Sequence, residues 1–232
     1  MATNLIEVKN LVKSFKDGNK ETHVLKNIDF IAREGEWISI MGRSGAGKST
    51  LMYQMSLLDD ATSGEIFLFG RDTHNMTADE KTKLRLNELG YVFQDYALLP
   101  DLTALENVAV PLMMQGKYKK EAYAEAKLSL ERVGLGHRIS GLPSQLSGGE
   151  QQRTSIARAL AHKPKVLFAD EPTANLDNES SRTIMQLFKE VHEQGQTIIM
   201  VTHEEMYSRL AERIIQLDDG KIISDEKIKR VK

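Results

Sequence analysis

The sequence predicts an α/β fold in which helices pack on a mainly parallel sheet. Three observations predict it. Short, almost wholly apolar runs recur at Trp37-Ile38-Ser39-Ile40-Met41, Val166-Leu167-Phe168-Ala169 and Thr197-Ile198-Ile199-Met200-Val201, the pattern of strands buried on both faces. Segments with helical spacing lie between them, and strand–helix–strand alternation argues a parallel sheet. Each run also stops at a residue suited to a turn or to chemistry: Gly42, Asp170 and His203.

The elements follow in order. Residues 5–9 and 24–31 read as short strands, with turn residues Asp17-Gly18-Asn19 between them. Residues 37–41 form a buried strand, and a helix follows Gly47. Residues 64–70 read as a strand between two glycines. Residues 79–88 are polar and helix-prone. Ala122, Ala126, Leu130 and Val133 give residues 119–133 one apolar helical face, and Gly134 sits where a glycine ends a helix. A helix from about 148 to 162 is stopped by Pro164. Residues 178–194 form an amphipathic helix on Ile184, Leu187, Phe188 and Val191, closed by Gly195. Residues 214–217 and 221–223, joined through Asp218-Asp219-Gly220, carry a hairpin signal. The basic tail from Lys227 to Lys232 reads as a solvated end.

Composition sets bounds. The chain has 232 residues, long enough for a sizeable core. Its formal net charge is −2, too little to draw nucleic acid by bulk electrostatics, so no nucleic-acid partner is expected. It contains no cysteine, which excludes disulfides, cysteine-ligated zinc and thiol nucleophiles. Glu7 and Lys9 interrupt what a secretory signal would keep apolar. No stretch approaches the roughly 20 apolar residues that span a bilayer. Action at a membrane would need a partner.

The strongest motif is Gly42-Arg43-Ser44-Gly45-Ala46-Gly47-Lys48-Ser49, which matches G-x-x-x-x-G-K-[ST] between a strand and a helix. Its glycines let the backbone wrap phosphate oxygens. N–H groups and the helix dipole at the helix start favour negative charge. Lys48 offers a full positive charge to the β and γ phosphates, and Ser49 a hydroxyl to Mg²⁺.

Asp170 and Glu171 end a buried strand, at the edge where open parallel sheets bind ligands. Asp170 is expected to hold Mg²⁺ through its water shell, and Glu171 to polarise an attacking water. Adjacent acids alone would read as a solvated turn. His203 ends another strand and fits either a γ-phosphate contact or an ordinary structural histidine.

Ser147 and Glu150 have capping-box spacing, and a well-capped helix would explain them. Yet Gly148 and Gly149 would fill its first turn, where each costs about 1 kcal/mol relative to alanine. Such a helix start seats an anion. The chain has one lysine-bearing cradle, so a second anion seat hints at a site shared between two copies.

Together, the phosphate cradle, Leu146-Ser147-Gly148-Gly149-Glu150 followed by Gln151-Gln152-Arg153, and the run ending in Asp170-Glu171 resemble the ATPase domain of ABC transporters. The resemblance covers nearly the whole chain. It implies the P-loop NTPase fold: a RecA-like, mainly parallel core with an antiparallel β subdomain and an α-helical subdomain. Residues 1–232 then form one ABC ATPase domain, with a nucleotide-binding core at about 1–94 and 163–232 and a helical subdomain at about 95–162. It implies ATP and Mg²⁺ as ligand and cofactor, held along residues 42–49 and Thr50. Gln94, in Tyr91-Val92-Phe93-Gln94, is similar to the glutamine that touches Mg²⁺ or the attacking water. Ala174-Asn175-Leu176-Asp177 resembles the loop that crosses the dimer interface, which brings Asp177 to the nucleotide. His203 resembles the switch histidine. Phe15 lies where the family places an aromatic that stacks on adenine; the alternative is an edge-strand core residue.

The same resemblance implies that two copies close head to tail. Each ATP lies between the cradle of one and Ser147, Gly148, Gly149 and Glu150 of the other. It implies a separate transmembrane permease, with this chain peripheral at the cytoplasmic face of the membrane. Residues 93–100, 102–104, 106–108, 111–112 and 170–177 look like the lipoprotein-release, macrolide-export and peptide-resistance branch. Three positions depart from the usual pattern: Arg43 replaces proline, Phe15 tyrosine, and Glu150 glutamine. None removes a group needed for catalysis. A non-transport ABC ATPase, such as a cluster-assembly factor, is the alternative. The segment at 93–112 favours transport, and Lys48, Asp170, Glu171 and His203 argue against a catalytically dead adaptor.

Overall fold

The computed structural model describes residues 3–18 and 20–228. In chain order it contains β1 (Asn4–Asp17), β2 (Lys20–Arg33), β3 (Trp37–Met41), α1 (Lys48–Met55), β4 (Ser63–Leu68), β5 (Arg71–Asp72), α2 (Ala78–Glu88), β6 (Leu89–Val92), α3 (Ala104–Met114), α4 (Lys119–Arg132), α5 (Gly148–Leu160), β7 (Val166–Asp170), α6 (Asn178–Glu193), β8 (Thr197–Val201), α7 (Glu205–Ser208), β9 (Arg213–Asp218) and β10 (Lys221–Lys227). The chain divides into two compact units. One joins the residues up to Lys83 with those from Gly195 onward, and the other runs Leu84–Gln194.

The first unit holds two sheets. β2, β1, β4 and β5 form an antiparallel sheet in that order. β3 lies between β8 and β9, parallel to both, and β10 pairs antiparallel with β9. Trp37, Ile38 and Ile40 of β3 and Ile198 to Val201 of β8 are sealed from solvent. So are Leu51, Met52 and Met55 of α1. Each such side chain contributes about 1.5–3 kcal/mol relative to exposure. Buried Arg213 ties β9 to β10 and β2: its guanidinium meets the Asp225 carboxylate at 2.6 Å and donates to the Ile31 carbonyl at 2.7 Å. That pairing and its hydrogen bonds raise the Arg213 pKa and lower that of Asp225.

The second unit pairs β6 with β7 in parallel and packs α3, α4 and α5 on one another. Val108, Leu112, Ala122, Ala126, Leu130 and Ile156 are fully buried there. The Ser129 hydroxyl donates to the Ala157 carbonyl at 2.8 Å, joining α4 to α5. Ile184 and Phe188 of α6 are fully buried.

The expected strands, helices and turns recur; β5, β6 and α7 are additional elements, and there are three further differences. The first two strands are 14 residues each, not short. Their outer residues are polar and exposed, which hides the alternation, and Asn10 at φ 48° breaks the register. Asn19 of the expected turn lies outside the described residues. α3 is not among the expected helices: it carries Pro111 in its interior, but a Thr103–Glu106 capping box starts it. Lys227 ends β10 rather than belonging to a solvated tail, while residues 229–232 lie outside the described residues. The C-terminal hairpin turns at Asp219 (φ 43°) and Gly220 (φ 73°), the two left-handed residues that a tight I′ turn requires.

Phe188→Ala should therefore cost about 3–5 kcal/mol, whereas exposed Leu128→Ala should stay within about 0.5 kcal/mol. Urea unfolding midpoints compare the two.

Candidate functional site

In the first unit, β3 delivers the chain into the phosphate cradle. Gly42, Gly45 and Gly47 have φ of 154°, 79° and 99°, a region that side chains rarely tolerate. A Cβ on Gly42 would collide with the Leu217 carbonyl oxygen, so this glycine lets the loop lie flat on β9. Gly47 caps α1 from the left-handed conformation. The Gly220 N–H donates to the Ala46 carbonyl at 3.1 Å and braces the loop from the C-terminal hairpin. Lys48 is 7% exposed. Its ammonium donates to the Gly42 and Arg43 carbonyls at 3.0 and 3.1 Å. The side chain thus folds back over the loop, with one of its three donors to spare. Arg43, Ser44 and Gly45 face solvent, and Ser49 and Thr50 are partly exposed at the start of α1.

His203 follows β8, which pairs with β3 through Ile40 and Val201. The cradle and His203 therefore leave the carboxyl ends of adjacent parallel strands, about 5 Å apart. His203 is exposed. The Glu204 N–H donates to the Thr202 hydroxyl at 3.1 Å, fixing the turn around it. Phe15 stands near the end of the β1–β2 hairpin and is 48% exposed, so it is not a core residue.

The second unit repeats the arrangement. β6 and β7 pair through Val92 and Ala169, so Gln94 and the Asp170-Glu171 pair leave the carboxyl ends of neighbouring parallel strands. Asp170 is 5% exposed. Glu171 has φ 43°, a left-handed conformation costing a non-glycine residue on the order of 1 kcal/mol. The turn behind it is tied down: the Ala174 N–H donates to the Glu171 carbonyl, and buried Gln152 donates to the Pro172 carbonyl at 2.8 Å.

Two predicted loops meet in this unit. The Asn175 amide donates to the Gln94 carbonyl at 2.9 Å, and the Tyr96 hydroxyl to the Asn175 carbonyl at 3.4 Å. Tyr96 and Ala97 are left-handed, at φ 64° and 47°. Arg158 of α5 holds both, donating to the Ala97 carbonyl at 2.5 Å and the Tyr96 carbonyl at 3.0 Å. Desolvation lowers the Arg158 pKa. Buried Asn107 accepts from the Leu99 N–H, and its amide nitrogen lies within hydrogen-bond distance of the Leu99, Leu102 and Thr103 carbonyls in the stretch leading into α3. Arg158 and Asn107 escape a reading of the sequence because their partners are main-chain carbonyls, which leave no spacing to recognise.

A Cβ on Gly149 would sit 2.8 Å from the Ser180 Oγ and 3.1 Å from its Cβ, so Gly149 leaves room for the approach of Ser180. At Gly148 the nearest atom to such a Cβ is the tip of the Tyr96 side chain, 3.1 Å away. Ser147 and Glu150 form the expected capping box, with the Ser147 N–H donating to Glu150 at 2.8 Å. That backbone bond, with Arg138 3.0 Å away, lowers the Glu150 pKa. Asp177 caps α6, accepting from the Ser180 N–H at 2.8 Å and the Glu179 N–H at 3.0 Å. The Ser180 bond chiefly lowers its pKa.

The family model described as ABC transporter matches residues 25–174. The chain belongs to the ABC transporter family. It is 48% identical over 219 residues to the ABC transporter ATP-binding protein MJ1508 of Methanocaldococcus jannaschii, covering 94% of this chain and 98% of that one. It is 44% identical to the lipoprotein-releasing system ATP-binding protein LolD of Shewanella denitrificans, with 97% of each covered. It is 45% identical to the macrolide export ATP-binding/permease protein MacB of Aggregatibacter actinomycetemcomitans, but spans only 36% of that chain. Among solved structures, the ATP-binding cassette MJ0796, a dimer bound to ADP and Pi, superposes with a TM-score of 0.91 at 41% identity, over 97% of this chain and 99% of that one. The fold is that of the ABC ATPase cassettes.

The left-handed backbone at position 171 gives a direct test. Glu171→Gly should be at least as stable as the parent, whereas β-branched Glu171→Val should lose about 1–2 kcal/mol. Equilibrium urea unfolding reads both.

Proposed function

We propose that this chain is the ATP-binding subunit of an ABC transporter, binding and hydrolysing ATP between two copies to drive a separate membrane permease. The observation that carries the reading is the cradle: left-handed glycines at the end of a parallel strand, closed by buried Lys48. A triphosphate fits it because the glycines keep the loop's main chain open to close approach and Lys48 lies over it.

Lys48 takes the β and γ phosphates, with the loop from Gly42 to Ser49 and Thr50 supplying N–H donors. Phe15 stacks on the adenine, to which its exposed ring is suited. The donor set also fits magnesium, which takes one or two carboxylates and completes its shell with phosphate oxygens and water. Ser49, Gln94 and Asp170 would hold the ion, which when bound neutralises charge on the phosphates. Glu171 orients and deprotonates the attacking water. His203 contacts the γ-phosphate. Ser147, Gly148, Gly149 and Glu150, with Asp177, close on the nucleotide of the partner copy.

MJ0796, solved as a dimer with ADP and Pi, supports the paired arrangement. LolD, an ATP-binding protein matched over 97% of its length, supports a permease on another chain. Among the described residues no helix is long and apolar enough to cross a membrane. We assign permease docking to the helical residues at about 95–162, where Met113 and Met114 at the end of α3 and Tyr118 at the start of α4 stand exposed. The permease would hold the chain at the cytoplasmic face of the membrane.

Glu171→Gln should slow ATP turnover at least about 100-fold while ATP binding persists and a nucleotide-bound dimer accumulates on size-exclusion chromatography. Lys48→Ala should instead weaken ATP binding. Turnover like the parent's in the first variant, or unchanged affinity in the second, would remove these residues from their roles.

A further inference from the structure

The base platform has a support of its own. Lys13, two residues before Phe15 on β1, is 8% exposed. Its ammonium lies 4.8 Å from the centre of the Phe15 ring, within the range of a cation–π contact. The same ammonium meets the Asp59 carboxylate at 2.8 Å and donates to the Asp60 carbonyl at 2.7 Å. Asp59 in turn accepts from the Gln54 amide at 3.0 Å and from the Asp60 N–H at 2.8 Å. Gln54 is fully buried and belongs to α1, the helix that opens with Lys48. A chain of polar contacts therefore runs from the Phe15 ring through Lys13, Asp59 and Gln54 to the cradle helix. Every member lies in the first unit.

A lone exposed aromatic at a hairpin end has nothing to fix its χ angles, and a base stacking on it would have to order it. The Lys13 ammonium occupies one face of the ring, leaving the other to a base. Because Lys13 is anchored through Asp59 to α1, the ring is held at a set distance from the phosphate loop. We propose that Lys13, with Asp59, is a positioning residue for nucleotide binding: it pins the Phe15 platform to the cradle helix, so that base and triphosphate are bound together at a fixed separation. This rests on the reading of Phe15 as the adenine platform. Lys13 touches no part of the nucleotide and acts only through Phe15.

The test compares dissociation constants for ATP and for inorganic tripolyphosphate, which has no base, by calorimetry with magnesium present. The variants are Phe15→Ala, Lys13→Met paired with Asp59→Asn so that no carboxylate loses its partner, and Lys13→Arg. Phe15→Ala should weaken ATP about tenfold. Lys13→Met/Asp59→Asn should weaken it about three- to fivefold. Neither should change tripolyphosphate affinity, and Lys13→Arg should bind ATP within about twofold of the parent. If Phe15→Ala weakens ATP and the Lys13 pair does not, the positioning role is overturned while the platform stands. If the Lys13 pair weakens both ligands equally, its role is structural and the inference fails. If Phe15→Ala leaves ATP affinity unchanged, the platform reading itself fails and takes the inference with it.

Discussion

The structure depends on one backbone constraint: β3 must turn at Gly42 into a loop that no side chain could follow. The glycine lies against the Leu217 carbonyl, and a single added carbon would push the loop away from β9. The remaining features of the cradle follow from that turn. The loop can close only because Gly45 and Gly47 are also left-handed. Lys48 can reach back to two loop carbonyls only because α1 starts where it does. The result is a set of main-chain donors and one ammonium held in place before any ligand arrives, which is how phosphate groups are bound with little ordering cost.

The residues proposed for chemistry sit at the carboxyl ends of parallel strands in both units, and for a shared reason. Side chains inside β3, β7 and β8 are largely buried on both faces, so a ligand would be met beyond the strand ends. Gly42 and Glu171 follow their strands directly, and His203 comes one residue later, after buried Thr202. Glu171 accepts a left-handed backbone to be there, strain of the kind that folds retain at working sites. Other site residues carry structural duties as well. Ser147 and Glu150 cap one helix and Asp177 another, while Gly149 lets α5 approach Ser180. Their stability roles are complete within one chain, and the nucleotide roles proposed for them concern a partner copy.

What was legible in the sequence was whatever has a period or a fixed spacing. The buried strands announced themselves as apolar runs, the cradle as a glycine pattern, and the C-terminal hairpin as Asp-Gly between alternating residues. The length of β1 and β2 was not legible, since Lys13, Ser14 and Lys16 break the apolar alternation on a sheet with a wet face. α3 was hidden by Pro111, which the helix tolerates behind a strong cap. The links that organise the site were invisible for a deeper reason. Arg158 on Tyr96 and Ala97, Asn175 on Gln94, and Lys13 on Asp59 join residues 46 to 81 positions apart, and most of them end on carbonyls that every residue possesses.

The central claim is that the loop from Gly42 to Ser49 is a preformed seat for a triphosphate. It is tested most directly by a crystal structure of the chain with magnesium and a non-hydrolysable ATP analogue. The account predicts the β and γ phosphates within hydrogen-bond distance of the Lys48 ammonium and of the main-chain N–H groups of this loop, with the glycine φ angles unchanged. An analogue bound elsewhere, or a loop that must refold to receive it, would contradict the account.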